Sequence, residues 1–343
     1  MAKTNSGRFF EDYAVGQVID HAVPRTVSGG ERALYHALYP ARHALYSSDE
    51  FARRSGLPQS PLDDLAAFHV VFGKTVPDVS LNAVANLGYA EGRFLKPVYA
   101  GDTLRSSSEV IGVKQNSNGK TGVVYVRTRG MNQHDEVVME YVRWVMVRKN
   151  DLDAPAPTPV VPDLKKTLSI EDLTLPEGLD FSNYDFTLAG EPHRWGDYEI
   201  GEKIDHVDGV TIEEAEHMMA TRLWQNTAKV HFDATFRPDG QRLIYGGHII
   251  SMARALSFNG LANAQMIVGL NSGAHANPCF AGMTVRAWSE VLDKADTDRP
   301  GVGAIRLRLV AVSDQGSFQL KGEDGKYEPS VLLDLDYWAV MPK

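Results

Sequence analysis

A single cysteine, Cys279, stands in a chain of 343 residues, which removes both an internal disulfide framework and a cysteine-based zinc site. Long apolar runs are missing as well: no stretch approaches the ~18–20 unbroken apolar residues of a membrane span. Lys and Arg number 35 against 44 Asp and Glu, and the net charge of −9 argues against general nucleic-acid binding, which wants a basic face. The opening stretch "MAKTNSGRFFEDYAVG" has neither an apolar signal region nor a cleavage pattern, so a cytoplasmic location is expected. No glycine loop of the Walker or dinucleotide-binding kind occurs. What remains, 43% hydrophobic and 23% charged, is the balance of a globular protein, and the length suggests roughly two domains.

The chain does contain itself twice. "EDYAVGQVIDH" (11–21) lines up with "GDYEIGEKIDH" (196–206), matching Asp12, Tyr13, Gly16, Ile19, Asp20 and His21 to Asp197, Tyr198, Gly201, Ile204, Asp205 and His206. The same spacing runs without a gap to Phe51 and Phe236. "GRFLKPVYAGDTL" (92–104) then matches "GAHANPCFAGMTV" (273–285), and the last strands correspond as "EYVRWVMV" (140–147) against "LDYWAVMP" (335–342). So many matched stretches in one order imply a tandem duplication. Between the copies, "DLDAPAPTPVVPD" has four prolines and no apolar period, so 151–164 reads as an extended linker between halves 1–150 and 165–343.

Each half predicts a helix (27–38; 212–223, with Thr211 as N-cap and Glu214 three residues on), an irregular stretch, and a more apolar helix (61–76; 246–261). Alternating segments follow, such as 121–130 and 303–312, whose period of two suits an antiparallel sheet with one buried face. The expected fold class is α+β, a sheet wrapped on one long helix per half.

These segments resemble the hot-dog folds of the MaoC-like, (R)-specific enoyl-CoA hydratase family. Its pattern L-T-G-D-x-N-P-[ILV]-H-x-D fits "LWQNTAKVHFD" (223–233) in frame at Leu223, Val230, His231 and Asp233. Its later element F-x-x-P-V-[FY]-x-G-D-T fits "FLKPVYAGDTL" (94–104). The family's Asp falls on Asn226, and its Asn-Pro on Ala228 and Lys229. In the first half the same frame gives Ala41 and Tyr46 at the Asp and His positions. The resemblance therefore implies a tandem (double) hot-dog fold whose N-terminal half is catalytically silent and shapes the substrate and CoA groove. Within the family, the layout resembles the branch acting on mesaconyl-CoA (2-methylfumaryl-CoA), giving β-methylmalyl-CoA.

Adding water to an enoyl thioester needs a base for the water, a proton for the α-carbon and donors for the thioester oxygen. The resemblance places His231 at the proton work and Asn226 at positioning, with backbone amides around Gly246, Gly247 and His248 as the oxyanion hole. His248 is equally read as a hydrogen-bonded helix-end residue. A dicarboxylic substrate demands a cation or several donors, for which Arg222 and Lys229 flank the motif; both also read as solvated flank charges. His21 and His206 recur in both halves and read as structural, as does Asp233. No metal and no cofactor are expected, coenzyme A being part of the acyl-CoA substrate, and a homodimer is the expected assembly. A hot-dog thioesterase and a non-catalytic acyl-CoA-binding protein are the competing readings.

Overall fold

The structure, a computed structural model, describes residues 3–314 and 318–343. The strands are β1 (Val18–Thr26), β2 (Ala83–Phe94), β3 (Thr103–Gln115), β4 (Thr121–Met131), β5 (Val137–Arg148), β6 (Lys203–Thr211), β7 (Ile267–His275), β8 (Thr284–Asp296), β9 (Val302–Val312) and β10 (Val331–Pro342). They form one 10-stranded sheet in the order β1-β3-β4-β5-β2-β7-β10-β9-β8-β6. Each half contributes five strands in the same internal order, and the halves meet where β2 pairs antiparallel with β7, Tyr89 opposite Gly273 and Arg93 opposite Gly269. This is the double hot-dog fold: α+β, with two central helices against one continuous sheet.

The strands follow from their alternation. In β4 every second residue is buried, so Val124, Val126 and Thr128 face the helices while Arg127 and Arg129 face outward. The repeated histidines do the same work in both copies. His21 bonds Ser108 at 2.8 Å and His206 bonds Ser289 at 2.8 Å, each tying the outermost strand to its neighbour. The last strands correspond one residue out of the register that their sequences suggested. Trp144 stands opposite Gly88, where a Cβ would lie 2.4 Å from its ring, and Trp338 opposite Gly269, where the Leu173 side chain takes the space.

The central helices are Asp64–Thr75 and Gly246–Leu256. All of the first is buried, and its N-terminus is capped by the Asp63 carboxylate, which accepts from the Leu65 amide at 2.9 Å. The second stops five residues before the sequence suggested, because Asn259 is non-helical and Gly260 turns at φ +95°. Thr211 is not a cap. It ends β6 and bonds Thr284, while the Glu216 side chain accepts from the Glu213 amide at the start of the helix Glu214–Leu223. The stretch 151–164 has no helix or strand of its own and lies along β3, the Val160 amide donating to the Val113 carbonyl at 2.9 Å. No described helix is long and apolar enough to cross a membrane.

One core runs through both halves, joining Phe68, Phe72 and Tyr89 to Tyr245, Ile249 and Leu333. The inner strand edges are consumed by this junction. The outer ones are broken by register shifts, between His21 and Arg25 in β1 and between Asp205 and Gly209 in β6, so neither offers a flat edge to another copy.

The halves pack closely at Gly73, on the first central helix, where a Cβ would stand 1.7 Å from the Trp224 carbonyl oxygen. Gly73→Ala is therefore expected to cost about 1–3 kcal/mol in urea unfolding and to shift the segment after Trp224. Gly29→Ala, where a Cβ meets nothing within 4 Å, serves as the control.

Candidate active site

Residues 223–233 form neither one continuous helix nor a strand because the chain turns twice. The helix Glu214–Leu223 ends when Gln225 adopts φ +56°, and a single turn, Lys229–Phe232, follows. Asn226 sits in the bend, 2% exposed, its amide oxygen accepting from the Ala228 N–H at 3.2 Å. That contact fixes the amide: the oxygen is used, and the NH2 group remains to donate. Trp224 anchors the bend, buried under the first half with its ring 5.2 Å from that of His69.

His231 has its tautomer set by the backbone. Its Nδ1 lies 2.7 Å from the Leu243 carbonyl oxygen, and a carbonyl only accepts, so Nδ1 carries the hydrogen and Nε2 keeps its lone pair. Burial lowers the pKa of His231 below its ordinary value, the bond to Leu243 opposing this only in part. A neutral imidazole with a free Nε2 is the form a general base requires.

Both residues line a cavity of about 280 Å³ between the halves. Gly246, the first residue of the second central helix, lies on its wall, and a Cβ there would stand 2.3 Å from the His275 ring. Unlike its counterpart in the first half, this helix has no side-chain cap. The buried His217 instead receives the Tyr245 N–H on Nε2 at 2.9 Å, holding the helix start in place. The amides of Gly246 and Gly247 have no acceptor among the described residues, as the first amides of a helix lack one within it.

The other expected site residues lie elsewhere. Gly247 is buried behind Gly246 against Tyr245 and His69. The backbone N–H of His248 is taken by the Tyr245 carbonyl at 2.9 Å, and its Nδ1 meets the Tyr39 hydroxyl at 3.1 Å, so it is the helix-end residue and not an oxyanion donor. Arg222 and Lys229 are exposed and do not reach the cavity. The helix Glu214–Leu223 buries His217, Ala220 and Thr221, which turns Arg222 outward, and Lys229 opens its short turn on the solvent side beside Asp233. Asp233 is itself a local cap, accepting from the Thr235 amide at 2.9 Å.

The first half supplies residues that the motif did not reveal. Tyr89 of β2 reaches His275 at 3.4 Å, and Arg143 of β5 lies opposite Tyr89, fully buried. His275 and His217 are held neutral, burial lowering them to about 4 and about 3. Cys279 also lines the cavity, its thiol pushed up to about 11 by burial, which leaves it protonated and a poor nucleophile. The one signal in the sequence was His275, a polar residue within the repeated element 273–285 where the other copy has Phe94.

The twin position is filled. Tyr46 is buried with its hydroxyl donating to the Asp64 carboxylate, which also accepts from the Ile267 amide at 2.8 Å. Asp64 is the first residue of its central helix, as Gly246 is of the other. Where the second half leaves amides open, the first half has placed an acid of its own, whose pKa burial raises to about 7.

A double hot-dog with a histidine, a buried amide and an open helix start around one inter-half cavity matches a MaoC-like hydratase or dehydratase. A solved structure described as a putative MaoC domain protein dehydratase from Chloroflexus aurantiacus matches with a TM-score of 0.98 at 57% identity, over 100% of this chain and 99% of that one. A double-hotdog protein from Mycobacterium tuberculosis matches at TM-score 0.77 and 25% identity, over 98% of each chain. The model of the family described as mesaconyl-CoA hydratase covers residues 1–322. A mesaconyl-CoA hydratase of Cereibacter sphaeroides is 75% identical over 99% of this chain and 100% of its own length. A beta-methylmalyl-CoA dehydratase of Chloroflexus aurantiacus is 58% identical over 100% of this chain and 99% of its own. The chain belongs to the mesaconyl-CoA hydratase family.

If His231 acts as the base, its neutral form is the active one, and kcat/KM is expected to be flat above its pKa and to fall tenfold per pH unit below it. The break should come below 6.5, since burial lowers that pKa. A pH profile of kcat/KM measures it.

Proposed function

We propose that the protein reversibly hydrates mesaconyl-CoA to β-methylmalyl-CoA, with the chemistry in the C-terminal half. The observation that carries this is the tautomer of His231, whose free Nε2 shares one cavity with Asn226 and Gly246. The NH2 group of Asn226 holds the oxygen of a water, and Nε2 takes one of its protons as that oxygen bonds to the β-carbon. The electron pair of the C=C bond moves onto the thioester oxygen, which the Gly246 amide and the helix dipole stabilise. The imidazolium then returns the proton to the α-carbon, restoring the thioester and the neutral histidine. Water is added, no electrons are exchanged, and no metal or redox cofactor enters the balance. The N-terminal half is proposed to be silent and to shape the acyl-CoA groove. The assembly is proposed to be a homodimer that packs through a surface other than the strand edges.

Asn in place of the family's Asp also has a reason. The substrate's free carboxylate sits on the carbon that receives hydroxide, and two carboxylates ~4 Å apart repel by about 4 kcal/mol at a near-surface dielectric.

Incubation with mesaconyl-CoA, following the enoyl-thioester absorbance and free thiol together, tests the reading. Absorbance is expected to fall without thiol; thiol release would mean a thioesterase, and neither change a binding protein. His231→Ala is expected to lower kcat by about 10²–10⁴-fold. Asn226→Asp should weaken the dicarboxylic substrate more than crotonyl-CoA, and an unchanged preference would leave the asparagine unexplained.

A further inference from the structure

Arg143 is 0% exposed, and no acid among the described residues forms an ion pair with it. Its guanidinium donates to two hydroxyls, Thr75 at 2.6 Å and Ser80 at 3.1 Å, and lies 4.4 Å over the Phe72 ring, while its Nε has no partner. The acid of that neighbourhood, Asp78, is engaged by Arg8 at 2.8 Å and His21 at 2.9 Å. A buried cation with no anion is costly, and proteins rarely leave one so. A second wall residue, Asn86, has a buried amide with no partner other than the nearby Tyr89 hydroxyl.

The duplication supplies a second buried arginine for comparison. The ninth residue of each central helix is Phe72 in the first half and Arg254 in the second. The strand position opposite the innermost strand is Arg143 in the first half and Tyr337 in the second. Each pair is an arginine over an aromatic ring, with the partners exchanged. Arg254 acts on the buried carboxylates of Asp63 and Asp64. At the corresponding helix start beside the cavity stand Tyr245 and Gly246, which carry no charge. Neither arginine forms an ion pair among the described residues; Arg254 has two buried carboxylates near it and donates to the Ala264 and Gln265 carbonyls, whereas Arg143 lines a cavity. The charge of Arg143 acts on the hydroxyls of Tyr89 and Tyr245, and the Tyr245 ring is 5.8 Å from that of His231.

We propose that Arg143, with the Asn86 amide, is the receptor for the free carboxylate of the acyl group, so that the silent half selects dicarboxylic enoyl-CoA substrates. This rests on the hydratase reading above. The role given to Arg222 and Lys229 from the sequence passes to a residue of the opposite half. A planar guanidinium with an unused N–H suits a carboxylate, and a monocarboxylic substrate leaves it unpaired.

The test compares mesaconyl-CoA with (E)-2-methylcrotonyl-CoA, which has a methyl group where mesaconyl-CoA has its carboxylate. In Arg143→Gln the ratio of the two kcat/KM values is expected to fall by about 100-fold or more, and in Arg143→Lys by less. Equal losses on both substrates would make Arg143 a structural residue and overturn the proposal, as would no loss. The unmutated protein gives a second reading that needs no variant to fold. The saturated 2-methylsuccinyl-CoA should bind at least about 30-fold tighter than 2-methylbutyryl-CoA in a calorimeter, and equal affinities overturn the proposal. Failure to hydrate mesaconyl-CoA would count against the hydratase reading alone, because the affinity contrast is read without turnover.

Discussion

The antiparallel pairing of β2 with β7 is the constraint from which the rest of the molecule follows. It turns two five-stranded half-sheets into one and brings the two central helices onto the same face. It also places Tyr89 of the first half against His275 of the second, so that the cavity has a wall from each. Backbone hydrogen bonds alone do not explain the join. Phe72, Tyr89, Tyr245 and Ile249 belong to one apolar cluster, and separating the halves would expose it to water. The cavity is therefore a property of the junction and belongs to neither half.

Within that frame, the segment 223–233 gains its position from the other half. Trp224 is buried against His69, Gly73 admits the Trp224 carbonyl, and the Arg25 guanidinium donates to the Leu223 carbonyl. A short irregular segment has few hydrogen bonds of its own and would be mobile on an open surface. Packed this way, it holds His231 with one nitrogen committed to the backbone and the other free. The tautomer of His231 is thus set by packing and one carbonyl.

Much of this was legible in the sequence, and the parts that were not share a cause. Periodicity and repetition gave the repeated strands and the helices within a few residues of their starts, because these depend on neighbours a few residues apart. That His231 and Asn226 share one cavity was legible because a motif holds them at a fixed spacing. Arg222 and Lys229 misled because closeness in sequence to a motif says nothing of which helix face a side chain takes, and His217, Ala220 and Thr221 had already claimed the inner face. Arg143 was invisible for the opposite reason: its relation to the cavity depends on β5 lying beside β2, and on β2 lying beside β7. The carbonyl that fixes the His231 tautomer likewise comes from Leu243, across a loop no spacing rule describes.

Had the two halves been separate, identical chains, each substitution would have appeared at both sites at once. A carboxylate at the first helical position would have closed both cavities, and a glycine there would have opened both. Joining the copies in one polypeptide releases them from that symmetry. One copy carries Asp64 and Tyr46 and gains a filled interior, while the other carries Gly246 and His231 and keeps a cavity. The difference between the two interiors is, in that sense, a freedom that a symmetric pair of subunits does not have.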